Sequence, residues 1–212
     1  MIGIVDYGLG NSLAVKQAYR EIGVKAVLLK NPNDMVNGIK GLVIPGVGRF
    51  GEGASMLKNS SWFEYLKNNG CSGMPILGIC LGMQLLFKSS EEDPSVEGLG
   101  LISADVLKLP AGRTRIPNMG WRIVKNYGNS QLLNGLSGIK FYHVHSYGFI
   151  DNPKQGDSSI TVNGLQVIVA VRIKNVFGVQ FHPEKSLKQG LSLLRNYYTF
   201  CCNENYTNIT DQ

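Results

Sequence analysis

The first half of the chain alternates short apolar runs with stretches of helical periodicity. The apolar runs suit buried strands and fall at residues 2–5, 24–29, 41–44 and 75–79. The helical stretches fall at residues 11–22, 62–68 and 81–87, and Asn11 with Ser12 can cap the first of them. A glycine-rich segment at residues 45–51 follows the third run and predicts a loop. Because strands and helices alternate in this way, the pattern predicts an α/β fold with parallel strands.

The second half is richer in β-branched and aromatic residues. It predicts strands at residues 101–109, 121–124, 140–144, 166–173 and 176–181, followed by a helix at 186–200. No repeat and no linker-like segment divides the chain, and 212 residues suit one domain. We therefore expect one domain over residues 1–202, with a mixed central sheet flanked by helices. A short polar tail over residues 203–212 would follow it.

Composition narrows the class of protein. Hydrophobic residues make up 43% and charged residues 17%, which excludes a disordered chain. No apolar run reaches the roughly 20 residues that span a bilayer, and the N-terminus lacks the basic start of a signal peptide. The four cysteines (Cys71, Cys80, Cys201 and Cys202) have neither disulfide-framework nor metal-ligand spacing. We therefore expect a cytoplasmic protein.

The net charge of +6 raises the question of an anionic partner. The basic residues are dispersed, however, and no aromatic-basic module for nucleic acid accompanies them. A solvated basic surface is the better interpretation, and we expect neither a nucleic-acid nor a membrane partner.

The segment Gly78-Ile79-Cys80-Leu81-Gly82 lies between a predicted strand and a predicted helix. It is the thiol counterpart of the G-x-S-x-G nucleophile elbow, a sharp turn that requires small residues two positions before and after the nucleophile. This turn would place the Cys80 sulfur at a helix N-terminus, where the thiolate is favoured. The alternative is a buried structural cysteine, which is the commonest role of a lone cysteine.

His182-Pro183-Glu184 follows the last predicted strand. If this segment is extended, residues two apart face the same side, and the Glu184 carboxylate can orient the His182 imidazole toward Cys80. The alternative is an exposed histidine with an acid nearby by chance. The other two histidines, His143 and His145, have the spacing of a metal pair, but no third ligand completes a site. We therefore expect no metal.

Six segments carry a family resemblance over nearly the whole chain. They are DYGLGN (6–11), PGVGRF (45–50), PILGICLGMQLLF (75–87), PNMGW (117–121), HVHSY (143–147) and GVQFHPEKS (178–186). The chain resembles the class I, triad-type glutamine amidotransferases, and in particular the glutaminase subunits of imidazole glycerol phosphate synthase. The resemblance implies a flavodoxin-like class I glutamine amidotransferase fold.

The same resemblance implies a glutaminase that needs no cofactor and hydrolyses L-glutamine to L-glutamate and ammonia. Cys80 would be the nucleophile, His182 the acid and base, and Glu184 the residue that orients His182. The backbone N–H groups of Val47 and Leu81 would form the oxyanion hole. The glutamine-binding residues would be Gly48, Gln84, Ser146 and Tyr147.

The resemblance further implies a heterodimer with a (β/α)8-barrel cyclase that uses the ammonia to make imidazole glycerol phosphate in histidine biosynthesis. The partner-facing positions would be Asn11, Asn118, Met119, Trp121 and Lys185. The chain departs from the family pattern at Asn118, where a histidine is usual, and at Arg122, where an asparagine is usual.

Three alternatives remain from the sequence. A paralogous glutaminase could supply ammonia to a synthetase that amidates sugars for surface polysaccharides, and the departures at Asn118 and Arg122 would suit it. A peptidase on the same scaffold lacks the His-Pro-Glu arrangement. A non-catalytic binding module would have no use for a complete triad.

Overall fold

The computed structural model describes residues 1–70, 73–136 and 138–203. Within them the strands are β1 (Ile2–Val5), β2 (Ala26–Leu29), β3 (Gly41–Gly46), β4 (Ile76–Cys80), β5 (Phe87–Ser90), β6 (Ile102–Lys108), β7 (Asn118–Ile123), β8 (Lys125–Asn126), β9 (Lys140–His145), β10 (Tyr147–Ile150), β11 (Ser158–Val162), β12 (Leu165–Ile173) and β13 (Val176–Val179). The α-helices are α1 (Ser12–Glu21), α2 (Phe50–Lys58), α3 (Trp62–Asn69), α4 (Leu81–Gln84) and α5 (Leu187–Cys202). Two short 3-10 turns lie at Pro32–Asp34 and Pro183–Lys185.

One large mixed sheet organises the fold. Its strand order is β2-β1-β3-β4-β13-β12-β10-β6-β5, with β11 and β8 attached beside β12, and β7 and β9 form a separate two-stranded sheet. The neighbours from β2 to β13 pair in parallel, whereas β12 is antiparallel to both β13 and β10. The predicted α/β class, with a mixed central sheet flanked by helices, is confirmed.

The central strands are apolar along their whole length because helices cover both faces of the sheet. All residues of β1, β3, β4 and β13 are buried, as is typical of parallel strands packed on two sides. Their side chains divide between two hydrophobic clusters, one containing Val43 and Phe177 and the other Ile44 and Val176. Adjacent residues of a strand thus supply opposite layers of the core.

The structure differs from the predicted elements in three places. Helix α2 starts at Phe50, inside the segment expected to be a loop. Its glycines Gly51 and Gly53 face side chains of neighbouring segments, and a Cβ on Gly53 would approach Leu81 Cδ2 to 2.8 Å. Helix α4 ends at Gln84 rather than at residue 87, since Phe87 begins β5. Strands β5, β8, β10 and β11 were not predicted.

Some predicted features fall outside the described residues. These are Cys71 and residues 204–212 of the polar tail. Cys80, Cys201 and Cys202 are free thiols. In the described part of the chain, no helix has the length and apolar character needed to cross a membrane.

Helix α5 supports the turn that carries Glu184. Ser186 Oγ donates to His182 O at 2.6 Å and accepts from Tyr142 N at 3.0 Å, so the chain just before α5 is tied to β9. Gly190, in the first turns of α5, lies directly against the backbone of Pro183, and a Cβ there would overlap the Pro183 carbonyl oxygen.

This contact predicts that Gly190→Ala destabilises the protein. Alanine in place of glycine inside a helix ordinarily stabilises by about 0.5–1 kcal/mol, but here the added methyl group must displace the Pro183 turn, and overpacking costs about 1–3 kcal/mol. The measurement is urea unfolding, with Ser192→Ala on the exposed side of the same helix as the control. A Gly190→Ala variant more stable than the wild type would contradict the close contact.

Candidate active site

A cavity of about 410 Å³ opens at the carboxyl ends of β3 and β4 and beside β9. Most of the predicted site residues line this cavity. They are Val47, Gly48, Cys80, Leu81, Gln84, Ser146, Tyr147, His182 and Lys185. A wider cavity of about 890 Å³, between residues 126–135 and the end of α5, is lined by neither cysteine nor histidine. The smaller cavity is therefore the candidate active site.

Cys80 occupies a sharp strand-to-helix turn. It is the last residue of β4 and immediately precedes α4, and its backbone has φ 55° and ψ −110°, a conformation that L-residues rarely adopt. A Cβ on Gly78 would lie 2.5 Å from Gly82 O, and one on Gly82 would overlap Ile44 O. Only glycine therefore fits on either side of Cys80, as the elbow sequence requires.

His182 and Glu184 form a buried pair, of which His182 lines the cavity. His182 Nδ1 lies 2.8 Å from Glu184 Oε1, and both side chains are 2% exposed. His182 is extended, as expected, but residues Pro183–Lys185 form a 3-10 turn rather than the extended segment that the sequence suggested. The turn still brings the carboxylate to the imidazole, so the predicted pair forms by a different local geometry.

The charge state of His182 is set by opposing effects. Burial is the largest and lowers its pKa, but contacts with the Cys80 sulfur and the Glu184 carboxylate outweigh it and raise the pKa to about 9. Nδ1 is bound to Glu184, so Nε2, which has no hydrogen-bond partner among the described residues, is the nitrogen left for Cys80. The imidazole is therefore a cation near neutral pH and can both stabilise a thiolate and donate a proton.

The loop after β3 forms the opposite lip of the cavity. Gly46 pairs with Cys80 across β3 and β4, and a Cβ on Gly46 would lie 2.5 Å from Gly82 N. Gly48 has φ +100°, which favours glycine, and Val47 between them is 36% exposed. The backbone at Val47 and Leu81 is thus held at one cavity with Cys80, as an oxyanion hole would require.

Hydrogen bonds fix the side of the cavity expected to hold glutamine. Gln84 Nε2 donates to Tyr147 O at 3.1 Å and to Gln180 Oε1 at 3.0 Å. His145 Nδ1 lies 2.9 Å from the same Tyr147 carbonyl, and its Nε2 lies 3.0 Å from Asn118 Nδ2. Because the amide of Asn118 donates, His145 is the neutral tautomer with its proton on Nδ1.

Three residues at this site were not predicted for it. His145 was considered only as a metal ligand, Gln180 was not singled out, and Glu92 lies in a loop that no motif marks. Glu92 lines the cavity and accepts from Phe50 N at 2.8 Å. Gln180 and His182 are two residues apart just after β13, and residues two apart in an extended segment face the same side. This spacing is the one sequence signal that could have placed Gln180 here.

The predicted partner-facing residues divide into two groups. Asn11 and Lys185 are exposed, as are Met119 (55%) and Trp121 (40%). The side chain of Asn118, by contrast, is fully buried, because it hydrogen-bonds His145 and accepts from Arg122 Nε at 2.7 Å. Its contact with a partner stays a prediction.

His143 and His145 do not belong to a metal cluster in the described residues, where no group of three or more histidine, cysteine or acidic side chains is suitably placed. Burial lowers the pKa of His143 well below its ordinary value. Burial and nearby His182 lower the pKa of His145 to about 4, although the hydrogen bond that His145 donates to the Tyr147 carbonyl opposes this shift. Both are neutral at pH 7. Among the residues that the structure describes, neither ring nitrogen of His143 has a hydrogen-bond partner.

Comparison with known proteins bears on this geometry. The profile of the family described as "Glutamine amidotransferase class-I" matches residues 3–199. The chain belongs to the class I glutamine amidotransferases. The predicted family is thereby confirmed, and with it the glutamine amidotransferase activity.

Individual class I amidotransferases agree with this assignment. "Imidazole glycerol phosphate synthase subunit HisH" of Desulfitobacterium hafniense (strain Y51) is 41% identical over 198 residues, 93% of each chain. The protein of the same name from Exiguobacterium sibiricum is 39% identical over 209 residues, 99% of this chain and 100% of its own. A crystal structure titled "glutamine amidotransferase" has a TM-score of 0.72 at 20% identity, covers 94% of this chain and 98% of its own, and shows the shared fold.

The raised pKa of His182 predicts a pH-dependent stability. The folded protein holds this proton up to about pH 9, whereas an unfolded histidine loses it near pH 6.5, so the contribution is full below pH 6.5 and is lost as pH rises to 9. Glu184→Gln removes one of the two groups that raise the pKa. Urea unfolding should show wild type more stable than Glu184→Gln by on the order of 1–2 kcal/mol at pH 6.5, with a smaller difference at pH 9.5.

The control for this measurement is Asp151→Asn, which removes the same charge from an exposed pair with Lys154. Its effect on stability should be small and nearly constant over the same pH range, because exposed pairs contribute little. A Glu184→Gln difference that stays constant between pH 6.5 and 9.5 would contradict the charged pair.

Replacing His143 and replacing His145 should change the free energy of unfolding in opposite directions. His143→Phe removes two buried nitrogens that have no partner, so it should stabilise by about 1 kcal/mol. His145→Phe removes the acceptor for Asn118 Nδ2 and should destabilise by about 1–3 kcal/mol. Urea unfolding of both variants is the measurement, and destabilisation by His143→Phe as large as that by His145→Phe would mean that the His143 nitrogens are in fact hydrogen-bonded.

Proposed function

We propose that this chain is the glutaminase subunit of an imidazole glycerol phosphate synthase. The observation that carries the proposal is the meeting of Cys80, in its left-handed turn, with the buried His182–Glu184 pair at one cavity. The proposed activity is hydrolysis of L-glutamine to L-glutamate and ammonia by residues 1–202, without a cofactor.

In the first half of the reaction the Cys80 thiolate attacks the carboxamide carbon of glutamine. The carbon–sulfur bond forms, and the carbonyl electron pair moves onto oxygen, where the N–H groups of Val47 and Leu81 stabilise it. The oxyanion collapses, the carbon–nitrogen bond breaks, and the His182 imidazolium gives its proton to the leaving ammonia. A thioester between Cys80 and the glutamyl group remains.

In the second half the neutral His182 takes a proton from water, and the oxygen attacks the thioester carbon. The carbon–sulfur bond breaks, glutamate leaves, and the Cys80 thiolate and His182 imidazolium are restored. Glu184 keeps the imidazole in one orientation and stabilises its cation, and does not itself transfer a proton. Gly48, Gln84, Ser146 and Tyr147 would hold the substrate during both steps.

The ammonia would pass to a partner subunit, for which we propose a (β/α)8-barrel cyclase in a cytoplasmic heterodimer. The support is the surface beside the cavity, where β7 exposes Met119, Trp121 and Ile123, since exposed apolar groups in a row mark interaction sites. Asn11 and Lys185 would lie at the edge of this contact. The sugar-amidating alternative gains no support, because the relatives described above have the imidazole glycerol phosphate synthase name.

The proposed function predicts glutamate release that depends on Cys80. The measurement is steady-state glutamate production by the chain alone, with the cyclase subunit of the same organism, and with that subunit and its nucleotide ligand. We expect docking to raise turnover far more than it changes KM, by about 10²–10³ if it completes the oxyanion hole. Cys80→Ala should be inactive throughout.

Cys202→Ala is the matched control, since Cys202 is an exposed thiol on α5, and it should retain full activity. Absence of glutamate release in the presence of the partner and its ligand, or activity of Cys80→Ala equal to wild type, would refute the proposed function.

A further inference from the structure

Gln180 lies at the centre of the hydrogen bonds that connect the cavity wall with the nucleophile. It follows β13 directly, is 0% exposed, and is anchored by its backbone N–H, which donates to Val169 O at 2.9 Å. Its side chain touches two residues of the proposed machinery. Oε1 accepts from Gln84 Nε2 at 3.0 Å, and Nε2 lies 3.8 Å from Cys80 Sγ.

The direction of these hydrogen bonds follows from one carbonyl group. Tyr147 O can only accept, so the Gln84 atom that faces it must be the amide nitrogen. The same Gln84 nitrogen faces Gln180, so the Gln180 atom there must be oxygen. The Gln180 NH₂ group is then the one directed at the Cys80 sulfur, and the reverse orientation would bring two donors together at Gln84.

A donor at this point suits the chemistry of the sulfur. Helix α4, whose N-terminus lies at Cys80, is only four residues long, so its dipole is weak compared with that of a full helix. An N–H group that donates to sulfur stabilises the charged thiolate relative to the neutral thiol. The Gln180 N–H therefore adds to the weak stabilisation of the Cys80 thiolate that the single turn of α4 provides.

We propose that Gln180 is a positioning residue of the glutaminase site, whose N–H holds the Cys80 sulfur as thiolate while its carbonyl holds Gln84 against the cavity. The role rests on the proposed function of Cys80 and Gln84. Because one amide serves both, loss of its N–H weakens the nucleophile, and loss of its carbonyl releases Gln84.

The test is Gln180→Glu in the full chain, which keeps the size and the acceptor for Gln84 and replaces the donor to sulfur by a carboxylate oxygen. The readout is the rate of Cys80 alkylation by iodoacetamide as a function of pH, followed by mass spectrometry of the Cys80 peptide. We expect the pH midpoint to rise by about one unit or more, and glutamine turnover to fall at least about tenfold with a smaller change in KM.

Gln166→Glu is the matched control. Gln166 lies on β12 and hydrogen-bonds Ser159 and Thr161 instead of the nucleophile, so the same exchange there should leave the midpoint unchanged. If Gln180→Glu does not fold, the same alkylation measurement is made on Gln180→Met, which is uncharged and similar in size. Its pH midpoint should also rise, because methionine has no N–H donor. A wild-type midpoint in the folded Gln180 variant overturns the proposal.

Alkylation requires neither glutamine nor the partner, so the two proposals fail separately. A shifted midpoint in a protein that releases no glutamate even with the partner subunit and its ligand would support the contact of Gln180 with Cys80 and refute the glutaminase. If the wild-type chain is active but its Gln180 variants keep the wild-type midpoint, the glutaminase is supported and the role of Gln180 is refuted.

Discussion

The close approach of three backbone segments, β3, β4 and α4, is the constraint on which the site depends. Where they meet there is no room for a Cβ at Gly46, Gly78 or Gly82, and Cys80 is held in a left-handed conformation. Such a conformation costs on the order of 1–3 kcal/mol and persists only when its surroundings enforce it. The two parallel strands enforce it here, and they place the Val47 loop and the Cys80 turn side by side.

The second half of the site is held from another direction. His182 N donates to Tyr142 O at 2.9 Å, and the ring of the preceding Phe181 stacks on Phe141 with centroids 4.1 Å apart. His182 follows β13 of the large sheet and is tied to β9 of the small sheet, whereas Cys80 is held by the large sheet alone. Ser186 and Gly190 then fix the turn that brings Glu184 back to His182. The cysteine and the histidine therefore meet where the ends of the paired strands β4 and β13 approach the small sheet.

Sequence reasoning succeeded where a local rule determines the outcome. The apolar runs at β1, β3 and β4 are long enough to show burial on both faces, and the Gly-x-Cys-x-Gly spacing admits one kind of turn. It failed where tertiary packing decides: glycines usually weaken a helix, yet Gly51 and Gly53 lie inside α2, where they face the side chains of Asp93 and Leu81. Likewise, nothing in the segment around Asn118 shows that its side chain is buried, since that depends on His145, 27 residues away.

The two faces of β7 connect the exposed surface with the cavity. Met119, Trp121 and Ile123 point outward, which reverses the usual arrangement of polar residues on the solvent side of a strand. Arg122 lies between Trp121 and Ile123, and from it a hydrogen-bonded path runs through Asn118 and His145 to the Tyr147 carbonyl that also holds Gln84. The exposed apolar face of β7 and the hydrogen-bonded path to Gln84 therefore share one strand. Buried networks of this kind are disrupted when one member moves, because an unpaired polar group in the interior is costly. The exposed apolar side chains of β7 and the hydrogen bonds that hold Gln84 thus lie on opposite sides of one strand.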